Sequence, residues 1–278
     1  MVFLMPNIKI FYPSDDKEHM DVLRSFNVPL NVPMIDLNEG YSSCEICVTF
    51  GVPKKYGHRG ELVKKIFDEH KGRHLVIEKG YIKRDVYYAI GWDGLNGRAN
   101  FNNKNSPTNR WDQLNLSGFK TVAYNTSSRI IVCGQVPWDA SVQHINFTEW
   151  CIKIIEVLKD CGDVVFRPHP LDHGSVKIPD VNISTISSFR DDLLNAKACI
   201  TFNSNCGVEA FIEGVPVFSF DKGSMVWDVS SHDLNRLNSP YNPDIVKKFQ
   251  WGYDIAYTQW TKEEMREGLP HKHLGVFK

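Results

Sequence analysis

The segment "ACITFNSNCGVEAFIEGVPVFSF" (198–220) joins two apolar runs through a small polar loop and an amphipathic run. The apolar runs at 198–204 and 215–220 are predicted strands, and residues 207–214 between them are a predicted helix. A strand, a helix and a second strand in this order are typical of a parallel strand pair with a crossover helix. The segment therefore predicts an α/β fold with a parallel sheet.

The same alternation extends over both halves of the chain. Strands are predicted at 7–13, 45–52, 73–80, 86–92, 129–135 and 163–170. Helices are predicted at 16–26, 60–72, 146–162, 187–197 and 258–268. The Gly-, Asn- and Ser-rich stretch 94–118 separates the halves, and its length indicates a functional or mobile segment.

We expect two Rossmann-like domains that face each other across a cleft. The first covers residues 1–120 and takes the acceptor side, and the second covers residues 121–257 and binds the ligand phosphates. A C-terminal helix and tail at 258–278 could return to the first domain.

The composition is that of an ordinary soluble protein. Of 278 residues, 42% are hydrophobic and 23% charged, and the net charge of −1 argues against binding nucleic acid mainly through bulk charge. We expect a cytoplasmic protein without membrane insertion, because the N-terminus lacks a leader pattern and no apolar run approaches the roughly 20 residues of a membrane span. The C-x-x-C pair Cys44 and Cys47 lacks a second pair of ligands, so no metal site is expected.

In "DVVFRPHPLDHG" (163–174), an apolar strand ends in an arginine and a histidine framed by prolines. The prolines restrict the backbone and should hold Arg167 and His169 with their side chains directed out of the sheet. A guanidinium beside an imidazole suits a phosphate, so both residues are predicted to bind and act on an anion. The alternative is a capped strand end with a surface histidine.

A second polar cluster begins after Thr201, where the apolar part of the run 198–204 ends. Asn203, Ser204 and Asn205 form a small polar loop, and a helix begins near Gly207. Free backbone N–H groups there would bind an anion, and Glu209 in the first turn could accept hydrogen bonds from ribose hydroxyls. Simple N-capping is the equally open alternative.

Together, His169-Pro170, Ser204, Gly207, Glu209-Ala210 and Gly214-x-Pro216 resemble the donor half of GT-B glycosyltransferases. The resemblance covers residues 129–227 and is to capsule-polysaccharide and sialyl- or Kdo-transferase-like groups. It implies a UDP- or CMP-linked nucleotide-sugar as co-substrate, no tightly bound cofactor, and stabilisation of the departing nucleotide by Arg167 and His169. No D-x-D motif occurs, so the resemblance implies that these two groups replace a metal. UDP-sugar 2-epimerases share the fold, but Asn205-Cys206 replaces their glycine pair.

The acceptor side is predicted from "YYAIGWDGLNGRANF" (87–101). Asp93 is the candidate general base, with Trp92 and Arg98 as acceptor-binding residues, and an Asp-Gly turn is the alternative. In the second domain, Gly134 and Gln135 are predicted to line the donor side of the cleft.

The identity of the acceptor is implied only by a resemblance. "GWDGLNGRANF" (91–101) and "AYTQWTKEEMREG" (256–268) are similar to stretches of bacteriophage proteins, which implies a 5-hydroxymethylpyrimidine in DNA as acceptor. Loop cations that could follow a DNA backbone are Lys54, Lys55, His58, Arg59, Lys104 and Arg110. A surface or capsular polysaccharide acceptor, a UDP-sugar epimerase or hydrolase, and a catalytically silent nucleotide-binding protein remain alternatives. The sequence leaves the sugar, the anomeric outcome and the oligomeric state open.

Overall fold

The computed structural model describes residues 6–116, 118–120 and 128–277. The chain divides into two compact units. Unit 1 combines Met1–Trp111 with Tyr253–Lys278, and unit 2 is Asp112–Gly252. The boundaries expected from the sequence, after residues 120 and 257, lie slightly later in the chain than the observed boundaries after Trp111 and Gly252.

Each unit contains one sheet in the described residues. The strands are β1 Ile8–Tyr12, β2 Met34–Asp36, β3 Ile46–Phe50, β4 Arg73–Lys79, β5 Tyr87–Trp92, β6 Arg129–Cys133, β7 Asp163–Arg167, β8 Asn182–Ile183, β9 Ala198–Thr201, β10 Val217–Ser219 and β11 Gln259–Thr261. The helices are α1 Lys17–Asn27, α2 His58–Glu69, α3 Asn109–Gln113, α4 Phe147–Leu158, α5 Phe189–Leu193, α6 Cys206–Ile212, α7 Ile245–Ala256, α8 Lys262–Arg266 and α9 Leu269–His273.

The unit 1 sheet has the strand order β11-β5-β4-β3-β1-β2. Strands β1 to β4 are parallel, but β5 is antiparallel to β4, and β11 is antiparallel to β5. The expectation of an entirely parallel sheet is therefore wrong at this edge. Only seven residues, 80–86, connect β4 to β5, whereas a parallel crossover needs a dozen or more.

Helices cover both faces of the unit 1 sheet. Because side chains alternate along a strand, the neighbouring residues Ile10 and Phe11 of β1 point to opposite faces. Ile10 packs in a core with Phe26 of α1, and Phe11 packs in a second core with Ile66 of α2. All four side chains are fully buried.

The unit 2 sheet is parallel throughout, in the order β10-β9-β6-β7-β8. Its core packs Phe147 and Leu158 of α4 against Val132 of β6, Phe166 of β7 and Ile200 of β9. Strands of such sheets read as continuous apolar runs because both faces are covered. This is why the sequence predicts them well.

Both sheets reverse their winding direction once. In unit 2 the chain proceeds from β6 to β7 and β8 on one side, then crosses to β9 and β10 on the other. In unit 1 it proceeds from β1 to β2, then crosses to β3. Ligands of doubly wound sheets bind beyond the carboxyl ends of the strands at such a switch point. The fold therefore indicates one such position in each unit.

Two residues of the loop after β5, Asn103 and Arg110, bind the C-terminal segment of unit 1. Asn103 Nδ2 donates to the Asp254 carbonyl oxygen at 2.8 Å, and Arg110 forms an ion pair with Glu264 at 2.6 Å. Glu264 also completes a capping box with Thr261 at the start of α8. The sequence missed β11, which precedes that box, because its pairing partner β5 is remote in sequence.

Candidate functional site

Three strands of the unit 2 sheet end in polar residues that lie beside one another. Gly134 and Gln135 follow β6, His169 follows β7, and Asn203 follows β9. The Gly134 N–H donates to the carbonyl oxygen of Arg167 at 2.8 Å. Gln135 Nε2 donates to Asn203 Oδ1 at 2.8 Å, and the Asn203 N–H donates to Gln135 Oε1 at 3.2 Å. These bonds connect β6 to its neighbours on both sides of the switch point.

The turn after β7 fixes the ring of His169. Its carbonyl oxygen accepts from the Asp172 N–H at 2.9 Å, and its Nδ1 accepts from the Leu171 N–H at 3.1 Å. Because a backbone amide can only donate, the neutral ring carries its proton on Nε2. The half-buried imidazole can thus donate to an anion through Nε2, as the phosphate prediction requires. The role itself stays a prediction.

Gly134 lies against this turn so closely that no larger residue fits without displacement. A Cβ added at Gly134 would lie 2.9 Å from Phe166 Cζ, 3.1 Å from the Arg167 carbonyl oxygen and 3.2 Å from the His169 nitrogen. Two of these contacts are backbone atoms, which cannot rotate away. The glycine is therefore explained by the close approach of the β6 and β7 ends.

Arg167 is not directed toward a ligand, so the geometry predicted for it is wrong. Its Nη1 donates to Asp192 Oδ2 at 2.8 Å and to the Ile186 carbonyl oxygen at 2.7 Å, and its Nη2 donates to the Ser187 carbonyl oxygen at 3.0 Å. The arginine side chain is 13% exposed and that of Asp192 is fully buried. These bonds tie the end of β7 to the segment before α5.

The charge of Arg167 is balanced by the buried carboxylate. Burial would raise the pKa of Asp192, but hydrogen bonds from Ser184, Arg129 and Arg167 outweigh it and hold the pKa below its ordinary value. Asp192 is therefore ionised at neutral pH and accepts from both arginines. This arrangement is a structural ion-pair network.

The loop before α6 uses its amides locally, which corrects the prediction of free N–H groups. The Ser204 N–H donates to Thr201 Oγ1 at 2.9 Å, and the Gly207 N–H donates to the Ser204 carbonyl oxygen at 3.1 Å. The Cys206 N–H donates to Ser204 Oγ at 3.3 Å. Ser204 therefore acts as a local cap.

Gly207 and Glu209 have different surroundings on α6. A Cβ at Gly207 would lie 2.9 Å from Val226 Cγ2, so this glycine permits close helix packing. Glu209 is exposed, and its Oε1 accepts from Asn205 Nδ2 at 3.1 Å. An exposed carboxylate at this edge is suited to accept from ligand hydroxyls, but its function and that of Asn205 stay predictions.

Sequence reasoning missed two polar residues of this edge. Asp221 follows β10, is 9% exposed, and accepts from Asn203 Nδ2 at 3.2 Å and from the Gly223 N–H at 2.6 Å. His144 Nε2 lies 3.3 Å from the other Asp221 oxygen, and its side chain is 44% exposed. The position of Asp221 directly after an apolar strand was the available signal. His144 lies in an irregular segment with no such signal.

The predicted acceptor cluster lies at the amino edge of the unit 1 sheet, opposite the carboxyl edge at which ligands of such sheets bind. Because β5 is antiparallel, its end at Trp92 pairs with Leu75 near the beginning of β4, so Asp93 is beside the amino ends of the parallel strands. Asp93 Oδ1 accepts from the His74 N–H at 2.9 Å, and its Oδ2 lies 3.7 Å from Arg73 Nε. The argument that selected Asp93 as general base is therefore wrong.

Trp92 and Arg98, the predicted acceptor-binding residues, differ in their exposure to solvent. Trp92 is 3% exposed, its Nε1 donates to the Leu274 carbonyl oxygen at 3.1 Å, and it belongs to the core, so its assignment to an acceptor surface is wrong. Arg98 is exposed in a short 3-10 turn, Asn96–Arg98, that follows Asp93 in the chain. Its role in binding an acceptor stays a prediction.

Two of the cations suggested for DNA binding are held in ion pairs. Arg110 is 7% exposed, pairs with Glu264 and stacks on Trp260 with 3.8 Å to the ring centroid. Arg59 pairs with Asp15 and Asp16 at 2.9 Å each. Neither arrangement favours a phosphate backbone.

The C-x-x-C pair carries protonated thiols. Burial raises the pKa of both Cys44 and Cys47, whereas metals bind the thiolate form. In residues 6–116, 118–120 and 128–277, no three His, Cys, Asp or Glu side chains form a group suited to a metal ion. None of the helices in those ranges is long and apolar enough to cross a bilayer.

Comparisons with known proteins bear on the fold. No protein-family model matches the sequence, and no curated protein matches it. KpsC of Thermosulfurimonas dismutans, a β-Kdo 2,4 transferase, is similar with a TM-score of 0.57 and 14% identity over 90% of each chain. The β-Kdo 2,7 transferase of the same KpsC is similar with a TM-score of 0.54 and 14% identity over 96% of this chain and 99% of that one.

The chain shares the fold of these two transferases. The predicted resemblance to Kdo-transferase-like proteins is confirmed at the level of the fold. The predicted α/β class with Rossmann-like sheets is confirmed as well, apart from the antiparallel edge of unit 1.

Proposed function

We propose that the protein is a glycosyltransferase that moves a sugar from a nucleotide-sugar to an acceptor hydroxyl, with unit 2 as the donor-binding unit. The observation that carries this proposal is the His169 turn, where a fixed imidazole can donate through Nε2 at the carboxyl edge of a doubly wound sheet. The fold shared with Kdo transferases supports the reaction class by analogy only.

His169 would act on the leaving group. Its Nε2–H donates to a phosphate oxygen of the donor and stabilises the negative charge that grows as the bond from the anomeric carbon to the phosphate oxygen breaks. One such preorganised donor is worth about 10²–10³ in rate. Glu209, exposed in the first turn of α6, would accept from the ribose hydroxyls. Arg167 has no direct part, because Asp192 holds it.

The neighbours favour a glycan acceptor. Both similar structures are Kdo transferases of KpsC, which makes CMP-linked Kdo the first donor to test. Hydroxymethylpyrimidine DNA is the second acceptor, but the net charge of −1 and the ion pairs of Arg59 and Arg110 speak against it.

Nucleotide release tests this proposal. The donors are CMP-Kdo, UDP-glucose and GDP-mannose, each with a Kdo-terminated oligosaccharide or with DNA containing 5-hydroxymethylcytosine. We expect acceptor-dependent release, reduced about 10²–10³-fold in His169→Ala. His173→Asn is the matched control, because His173 is exposed in the same loop and has a φ of +49°, which asparagine tolerates.

Two results would contradict the proposal. One is no release from any donor with either acceptor, and the other is full activity of His169→Ala. Conversion of a UDP-sugar without an acceptor would instead favour the epimerase alternative.

A further inference from the structure

The loop between β6 and α4, residues 134–146, runs along the carboxyl edge of the unit 2 sheet. It begins at Gly134, beside the His169 turn. Its Ser141 carbonyl oxygen accepts from Asn203 Nδ2 at 2.8 Å, so the loop also contacts the residues that follow β9. The loop thus starts at the predicted phosphate site and continues toward the strands on the other side of the switch point.

Trp138 is an exposed aromatic residue of this loop. It is the third residue of a turn in which the Asp139 N–H donates to the Val136 carbonyl oxygen at 2.9 Å, and Pro137 occupies the second position, which proline favours. All seven tryptophans lie in the described residues, and Trp138, at 41%, is the exposed one. Because tryptophan is a highly buried residue on average, an exposed indole on a ligand-binding edge points to a contact with a ligand.

The loop is held by its own hydrogen bonds and by a buried side chain. The Ser141 N–H and hydroxyl both donate to Asp139 Oδ1, at 3.0 Å and 2.8 Å. Gln135 Nε2 donates to Ser141 Oγ at 3.2 Å, and Val142 is fully buried in the unit 2 core. A loop fixed in this way loses little conformational freedom when a ligand binds, which favours affinity.

An imidazole and a carboxylate lie together near the end of the loop. His144 Nε2 is 3.3 Å from Asp221 Oδ2, and the imidazole is 44% exposed. The His144 ring also lies against the ring of Phe202, with 5.7 Å between centroids. Asp221 itself is held by the Asn203 side chain and by the Gly223 N–H. The His144 and Asp221 pair therefore offers fixed hydrogen-bonding groups beside the end of β10.

An indole together with such a polar pair suits a sugar. A pyranose ring has a face of C–H groups, which packs on an aromatic ring, and a rim of hydroxyls, which hydrogen-bond to imidazole and carboxylate groups. Small-molecule sites commonly combine aromatic side chains with a few placed polar groups. Glu209 takes the ribose hydroxyls under the proposed function, which leaves the groups of the loop for the other sugar of the donor.

We propose that Trp138 stacks on the transferred sugar of the nucleotide-sugar and that His144 hydrogen-bonds to its hydroxyls, with Asp221 as the residue that positions His144. The proposal rests on the proposed function and concerns unit 2 alone. Trp138 and His144 then determine which donor sugar is bound, while the His169 turn binds the phosphate of any donor.

The test compares, by calorimetry, the affinity for a nucleotide with that for the corresponding nucleotide-sugar. The probes are CMP with CMP-Kdo, UDP with UDP-glucose, and GDP with GDP-mannose. The variants are Trp138→Ala, Trp138→Phe and His144→Ala, and thermal unfolding verifies that each is folded at the titration temperature. The matched control is Ile152→Ala, because Ile152 is an apolar residue of similar exposure, 39%, on α4 of the same unit.

We expect Trp138→Ala to bind the nucleotide-sugar about 3–10-fold more weakly and the nucleotide as the wild type does, because the indole contacts the sugar alone. Trp138→Phe keeps an aromatic ring and should recover part of the affinity. His144→Ala should bind the nucleotide-sugar about 3–10-fold more weakly through the lost hydrogen bond. The nucleotide-sugar should also change the tryptophan fluorescence of the wild type in a way that the nucleotide does not, and Trp138→Phe should lose this difference.

A nucleotide-sugar affinity that is equal in wild type and Trp138→Ala would overturn the role of Trp138 and leave the proposed function intact. An equal loss for nucleotide and nucleotide-sugar would also overturn it, because the indole would then contact the nucleotide. Unchanged affinity in His144→Ala would overturn the role of His144. If the wild type bound none of the nucleotides or nucleotide-sugars, the proposed function and this proposal would both be wrong.

Discussion

Replacement of Arg167 by glutamine tests whether this arginine stabilises the fold or binds a ligand. Arg167 is 13% exposed and pairs with the fully buried Asp192 at 2.8 Å. Removing one partner of a buried ion pair costs about 3–5 kcal/mol. We expect the lower end, about 3 kcal/mol, because Arg129 and Ser184 still contact Asp192. For a protein of this size each kcal/mol changes Tm by about 2–4 °C, so Tm should fall by about 6–12 °C.

The assay is thermal unfolding together with a CMP and UDP titration at 15 °C, where the variant is still folded. Arg190→Gln is the control, because Arg190 lies in the same unit, its side chain is 65% exposed, and its partner Glu213 at 3.2 Å keeps a second partner in Lys120. Loss of such a pair should cost about 0–1 kcal/mol. Arg167→Gln should lose stability and keep its nucleotide affinity. An unchanged Tm with lost affinity would refute the structural account and restore the sequence-based role.

Three further predictions concern Gly134, the buried His271 and Trp92. Gly134→Ala should cost about 1–3 kcal/mol of stability and weaken nucleotide binding, measured by calorimetry, since its Cβ would displace the His169 turn; unaltered affinity would contradict this. Burial lowers the pKa of His271 from 6.5 to about 4, so the unfolded state binds a proton at a higher pH than the folded state does. The free energy of unfolding, measured in urea, should therefore decline between pH 6.5 and 4 by up to about 3 kcal/mol more in the wild type than in His271→Gln; parallel pH profiles of the two proteins would contradict this. Trp92→Phe should lose about 1–3 kcal/mol, because the Leu274 carbonyl oxygen loses its donor, and should keep the transfer rate at 15 °C; a stable but inactive variant would contradict this.

Local patterns were sufficient for much of the fold. The run 198–220 predicted β9, α6 and β10, since buried parallel strands are continuously apolar and the glycines and polar loop mark the ends. The start of α5 also follows a local pattern, because Ser188, a favoured N-cap residue, accepts from the Asp191 N–H at 3.3 Å.

The direction of β5 was predictable but was not predicted. The seven residues at 80–86 are too few for a parallel crossover, and applying that limit would have placed Asp93 at the amino edge of the sheet.

Long-range partners were not predictable in this way. Arg167 pairs with Asp192, which lies 25 residues later, and nothing in "RPHP" indicates that its guanidinium turns toward α5. The Gln135 to Asn203 bonds join residues 68 apart. Such contacts depend on which strands become neighbours, and the order of the strands is a property of the whole sheet.

The most direct test of the central claim is nucleotide binding at the His169 turn. CMP, UDP and GDP are added to wild type and to His169→Ala, and Tm is measured as a function of concentration. At 100 times its Kd, a ligand stabilises by about 2.7 kcal/mol, which raises Tm by about 5–11 °C. We predict this rise for one nucleotide with the wild type and a much smaller rise with His169→Ala. An equal rise in both proteins, or none with any nucleotide, would contradict the assignment of unit 2 as the donor-binding unit.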